Sequence, residues 1–501
     1  MKNFNTILIL LSFSILFSCK KDDHKIEFTF LQLNDVYEIA PIQGGKFGGM
    51  ARVETLHQQL LQENKNTLLV MAGDFLNPSL LGTLKVDNER VLGKQMIEVM
   101  NAMKFDVVAF GNHEFDLSQK DLQNRINESH FPWISANVKL ASKNDTISFF
   151  KEIEGKKTPL KEYFIKEFSD KDGTKIKVGF ISVCIPSNPK DYVAYENMFV
   201  KARNSYKIIK DSVNVVFGLT HVKIVNDKRI AQLLPNIPLI MGGHEHTNMA
   251  VPVGNSIITK ADANAKTAYI HRISYDKKSK KATIKSELKE INDALQEDTI
   301  VGEIVEKWQD ILNENIKKII KNPNEIIHTA TIDLDGRDTP IRSEQTNLGE
   351  LITKSMSYSF DNQVDCALVN GGSIRIDDVL QGEIMAVDIF RVLPYGGAIL
   401  KVNLKGRLLK KVLDYGNLAL GTGAYLQRFN AEKVREKWMI KNKELDITKS
   451  YTVAFSDYLL KGFDIPFLND QNKEVNYIYT PNPDEIAFDI RKAVISYLKE
   501  K

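Results

Sequence analysis

The stretch VVAFGNHEFD, Val107 to Asp116, divides in the middle. Its first half is apolar and rich in β-branched residues, the mark of a strand buried on both faces. At Gly111 it gives way to Asn112, His113 and Asp116, so oxygen and imidazole donors stand where the strand leaves the core. Taken alone, a glycine and an asparagine after a strand make a turn. Other strands end in the same way, however. LQLND delivers Asp35, TLLVMAGD delivers Asp74, VVFGLTH delivers His221, and LIMGGHEH delivers His244 and His246. Four of the nine histidines of the chain fall in this set, which turns alone do not explain. In open α/β sheets ligands gather outside the carboxyl ends of the strands, so these residues are expected to converge in one crevice.

Asp, Asn and His in this mixture suit Mn, Fe, Zn, Co or a similar divalent ion. The set is large enough for two ions sharing a bridging carboxylate, the arrangement used for hydrolysis of phosphate esters. Between the strands, segments such as MARVETLHQQLLQEN and RVLGKQMIEVMNAM repeat apolar residues at helical spacing. The alternation over residues 26–299 predicts a layered α/β unit, β-sheets flanked by helices, closed by antiparallel strands in KTAYIHRISYDKKSKKATIKSEL. A charged amphipathic helix is expected over 300–323, linking to a second, α+β unit over 324–501.

Length and composition agree with two such units. The 501 residues are too many for one ordinary core, and 43% hydrophobic with 26% charged residues is a globular composition. A net charge of +3, from 67 basic and 64 acidic residues, gives no reason to expect a nucleic-acid polymer as partner. At the N-terminus, Lys2 precedes an apolar run from Ile7 to Phe17 that is too short to span a membrane and fits a signal peptide over 1–18. LFSC resembles a bacterial lipobox, which implies lipidation of Cys19, a tether over 19–25, and a protein anchored in the cell envelope. KKDD after it resembles the export tag of certain surface lipoproteins, so the outer membrane is the expected address, on its periplasmic or exposed face. Cys184 and Cys366 sit in apolar runs far apart and are expected to be buried thiols.

The series ND-V-Y, GD, GNHEFD, TH and GGHEHT resembles the calcineurin-like metallophosphoesterase superfamily. The spacing and the second unit are similar to its 5′-nucleotidase branch, across nearly the whole mature chain. The resemblance implies a dimetal phosphoester hydrolase, extracytoplasmic, attacking nucleotides with a metal-bound hydroxide. It implies Asp74 as the bridge, Asp35 and His246 on the first ion, and Asn112, His221 and His244 on the second. His113 and Asp116 become a catalytic pair. The family pattern has histidine where this chain has Tyr37, which either binds as phenolate or only shapes the pocket with one ligand lost. In the second unit, ALVNGGSIRID supplies Asn370, Gly372 and Arg375, and PIRSEQTNLGELIT supplies Arg342. Aromatics at Tyr425 and Tyr458 are implied to sandwich a base, with Asp464 at the ribose. Phe463 and Ile465 replace glycines of the usual run, which alters that loop. The alternatives left open are a 2′,3′-cyclic phosphodiesterase or UDP-sugar hydrolase of the same fold, and a catalytically silent nucleotide-binding lipoprotein.

Overall fold

The computed structural model describes residues 24–142, 145–187 and 190–501, so the signal peptide, Cys19 and most of the tether lie outside the described residues. Two six-stranded sheets form the first unit. In one, the strands Lys25–Leu33, Thr67–Met71, Val107–Ala109 and Trp133–Ile134 run parallel side by side. The antiparallel hairpin Thr267–Asp276 and Lys281–Glu290 extends it beyond Lys25–Leu33. In the other, Lys175–Ile181, Val215–His221, Leu239–Gly243 and Ser256–Lys260 are parallel, with an antiparallel strand at each edge.

The sheets face each other across a buried aromatic layer. Phe28 and Phe30 from one meet Phe180 and Phe217 from the other, with ring centroids 5.0–6.1 Å apart. Rings of this size dominate the burial energy, and tilted or edge contacts suit their quadrupoles. Both faces of the central strands are therefore covered, which is why the sequence shows continuous apolar runs rather than alternation. Helices Met50–Glu63 and Lys94–Ala102 cover the outside of the first sheet. Met198–Ile209 and Ile224–Leu233 cover the outside of the second. The first unit is thus four-layered, helices outside two stacked sheets.

The amphipathic helix Thr299–Lys317 buries Val301, Val305, Trp308, Leu312 and Ile316, and it lies against Met50–Glu63 and Lys94–Ala102. It is a docked element of the first unit rather than a free spacer. The chain then enters a mixed five-stranded sheet, with Cys366–Asn370 parallel to Ser450–Ser456 at its centre. Cys184 and Cys366 are free and buried. Among the described residues no helix is long and apolar enough to cross a membrane.

Candidate active site

The carboxyl ends of the parallel strands of both sheets open on the same side, and there the chain bends sharply. Asp35 follows Lys25–Leu33 at φ 53°, Asp74 follows Thr67–Met71 at φ 57°, and His244 follows Leu239–Gly243 at φ 85°. Non-glycine residues in this left-handed region are strained, and such strain collects at functional sites. The bends turn three predicted ligands back over the sheet ends. Close packing at the bends demands glycine: a Cβ on Gly111 would fall 2.1 Å from Asp74 Oδ1.

Asp35, Asp74 and His221 offer donor atoms that all lie within 4.8 Å of one another. His221 Nδ1 donates to the Ala72 carbonyl at 2.7 Å, which turns Nε2 toward Asp74 Oδ2 at 3.0 Å. His246 Nε2 is 3.4 Å from Asp35 Oδ1. Asn112 and His244 complete the rim of a cavity of about 620 Å³ that also contains Asp74 and His113. Asp35 Oδ1, Asn112 Oδ1 and His221 Nε2 are buried with no hydrogen-bond partner. Buried polar atoms without partners are costly and uncommon, and three donors orphaned together are what metal ligands look like without their ion. The residues fit a divalent metal centre.

Electrostatics follow from this crowding. Burial alone would push the His221 imidazole down, but Asp74 and Asp35 carry it up to about 9. Burial likewise opposes protonation of His113, and Asp116, with Asp74 and Asp377 behind it, raises it to about 10. Burial pushes Asp35 and Asp116 up, yet their histidine neighbours hold both well below the usual carboxylate range. His244 goes the other way: burial and the nearby His221 keep it neutral, the form that binds metal. Tyr37 is buried with its hydroxyl 3.2 Å from His246 Nε2, and burial beside Asp74 and Asp35 holds the phenol well above its usual value.

His113 Nδ1 donates to Asp116 Oδ2 at 2.8 Å, so Nε2 faces the opening. Arg375 of the second unit reaches the same Asp116 oxygen at 3.0 Å. The arginine thereby joins the pair His113–Asp116 to a second cavity, of about 790 Å³, lined by Arg342, Asn370, Gly372, Arg375, Tyr458 and Asp464 among others. Asn370 and Tyr458 both donate to the Asp464 carboxylate, at 2.7 and 3.1 Å.

Tyr425 departs from expectation. It is 4% exposed and is not among the residues lining this cavity; Tyr395 and Tyr458 supply its aromatic walls. The peptide of Tyr425 is tied down by its carbonyl, which accepts from Gly371, and its ring lies under the Arg428 guanidinium. The altered loop has a simple account: Ile465 is fully buried in the core of the second unit, while exposed Phe463 leans on Tyr458 at 5.5 Å.

Four supporting residues carried no clear sequence signal. Glu114 accepts from the backbone amides of Asp74, Phe75, Leu76 and Gly111, tying two ligand loops to one carboxylate. Lys260, fully buried, donates to the carbonyls of Val222 and Gly243 and pairs with Asp227 and Glu245, beneath His221 and His244. Asn34 braces Asp35 at 2.8 Å. Asp377 comes from the second unit and places Oδ2 3.6 Å from His113 Nε2 and 3.5 Å from His246 Nε2. Glu114 and Asn34 lie inside motifs already singled out; Lys260 and Asp377 become visible only when distant segments meet.

Residues 28–248 match the family model described as calcineurin-like phosphoesterase, and residues 325–469 that described as 5′-nucleotidase, C-terminal domain. Human 5′-nucleotidase is 28% identical over 447 residues, 80% of this chain and 74% of that protein. The trifunctional nucleotide phosphoesterase protein YfkN of Bacillus subtilis is 27% identical over 414 residues, 75% of this chain; the chain spans only 27% of that relative's length. Among solved structures, a 5′-nucleotidase precursor from Thermus thermophilus superposes with a TM-score of 0.66 at 22% identity, covering 95% of this chain and 96% of that one. A sulfate thiohydrolase from the same organism, in complex with glycerol, gives 0.61 at 14% identity, covering 94% of each chain. At these identities the superpositions show the fold.

Proposed function

Since the chain belongs to the calcineurin-like phosphoesterases and carries their 5′-nucleotidase C-terminal domain, we propose that it is a two-metal 5′-nucleotidase of the cell envelope. The observation that carries this reading is the junction of the two cavities at Arg375 and Asp116, which sets an anion-binding arginine beside the donor cluster. Asp35, Asp74 and His246 would hold one ion, and Asp74, Asn112, His221 and His244 the other. Divalent ions bound there would activate water and offset charge developing on the phosphoryl group.

The chain's own residues do the remainder. Asp116 fixes the ring of His113 so that Nε2–H points into the cavity as a cationic donor for a phosphoryl oxygen. The fork of Arg375 matches phosphate geometry, and Arg342 adds a second buried cation in the wall. Tyr395 and Tyr458 offer faces for a base, worth roughly 1–3 kcal/mol per stacked base, with Asp464 at the sugar edge. Asn370 and Gly372 line the same cavity, and the Asn370 amide holds the Asp464 carboxylate. A sulfate thiohydrolase shares the fold, so architecture alone does not fix the substrate.

The test is phosphate release from 5′-AMP by protein starting at Lys20, stripped of metal and then given Mn²⁺, Zn²⁺, Co²⁺ or Fe²⁺. Metal-dependent release that falls by about 10²–10⁴ in His113→Ala is expected. Tight calorimetric binding of AMP without turnover under any metal would replace the enzyme with a silent nucleotide-binding protein. Faster release from 2′,3′-cyclic AMP or UDP-glucose in the same assay would move the substrate class. The envelope address rests on Cys19 and the apolar run before it, and an unmodified mature N-terminus by mass spectrometry removes it.

A further inference from the structure

We propose that Asp377, contributed by the second unit, is a ligand of the first metal site, which is therefore completed across the boundary between the two units. This inference rests on the two-ion reading above. The first site has one protein donor fewer than the second: Tyr37 stands where the related pattern has histidine, leaving Asp35, the shared Asp74 and His246, against Asp74, Asn112, His221 and His244, so a position is open for a further ligand. Donor atoms bound to one ion at about 2.1 Å sit roughly 3–3.5 Å apart. Asp35 Oδ1 and Asp377 Oδ2 lie 3.4 and 3.5 Å from His246 Nε2, so Asp377 stands at ligand spacing from an accepted member of the set.

The carboxylate is also held for the task. Asp377 adopts φ 44°, a strained conformation for an aspartate. Its Oδ1 accepts from the Asp338 amide at 2.7 Å, which leaves Oδ2 directed at the site. Its carbonyl accepts from His246 Nδ1–H at 2.5 Å, fixing the tautomer that offers Nε2. Among the described residues its ion-pair partners are His113 and His246, with no lysine or arginine within 4.0 Å. Facing histidines but no lysine or arginine, this mostly buried carboxylate gains a further compensating charge when an ion binds beside it.

The test uses the chain from Lys20 onward, loaded with Mn²⁺ and freed of excess ion, with stoichiometry from metal analysis and the pair read by electron paramagnetic resonance. Wild type is expected to hold two Mn²⁺ per chain and to show a spin-coupled spectrum. Asp377→Asn, which keeps the carbonyl contact to His246, is expected to weaken the first ion by ~10-fold or more and to lose the coupling. Tyr37→His in the Asp377→Asn background is expected to restore both ions. Two ions with unchanged affinity and coupling in Asp377→Asn would overturn the inference and leave the nucleotidase reading standing. Faster turnover in Asp377→Asn with both ions retained would also overturn it, and would make Asp377 a plug over His113. A wild type that takes a single ion overturns the two-ion reading and this inference with it.

Discussion

His271 lies in the middle of the hairpin strand Thr267–Asp276, far in role from the other histidines. It is fully buried between Ser286, 2.8 Å from Nδ1, and Gln32, 3.0 Å from Nε2. Burial alone pulls its imidazole down to about 3. The folded state therefore refuses a proton that the unfolded chain accepts below its ordinary value near 6.5. Stability is fully present above that value and is lost as pH falls toward about 3, with a slope of about 1.4 kcal/mol per pH unit from this site. Denaturant unfolding of metal-free protein between pH 6.5 and 4 should show the slope, and His271→Gln should remove that increment. At this scale the sequence was informative where ligands sit at strand ends and silent on their supports. Asp35, Asp74 and His221 could be named in advance because a polar residue interrupts an apolar run. Lys260 could not, since a lysine closing a strand ordinarily points into water, and its burial is explained by Asp227, Glu245 and the carbonyls of Val222 and Gly243, which meet around it.

Among elements, the decisive ones are the short bends after the parallel strands, which convert strand order into a cluster of donors. Gly111 shows how tight they are. A methyl group there would displace the Asp74 carboxylate from its 2.7 Å bond with the His113 amide. Gly111→Ala should lower metal stoichiometry and cost about 10²-fold in kcat/KM, the scale of an ångström of misplacement, while the aromatic core keeps the fold. Parallel strands buried on both faces were legible because they cannot alternate, and the helices between them because they must. The second unit was less so. Its sheet mixes directions, and a tyrosine such as Tyr425 has the same sequence signature whether it faces a ligand or the interior. The helix Thr299–Lys317 was legible as a helix, yet its apolar stripe does not say which neighbour it meets.

For the whole molecule, that helix ties the chain between the units to the first one. Trp308 is 4% exposed, and its indole N–H donates to Glu98 at 2.9 Å. Trp308→Ala should cost about 3–5 kcal/mol, seen as a lowered denaturation midpoint, with KM little changed because the residue lies outside both cavities. Across the boundary polar pairs accompany an apolar cluster that runs through both units: Lys266 with Asp378 at 3.0 Å, Arg391 with Glu38 at 3.6 Å, Arg375 with Asp116 at 3.0 Å.

The hydrogen bond from His246 Nδ1 to the Asp377 carbonyl crosses that boundary, and thermodynamic reciprocity gives it a second meaning. Whatever factor the contact between units adds to the grip on an ion, the ion must return to the contact between units. Scarcity of metal in the surroundings would then be felt as shape: a chain less firmly shut, with its seam more open to proteases and its lifetime tied to the supply of the ion it needs.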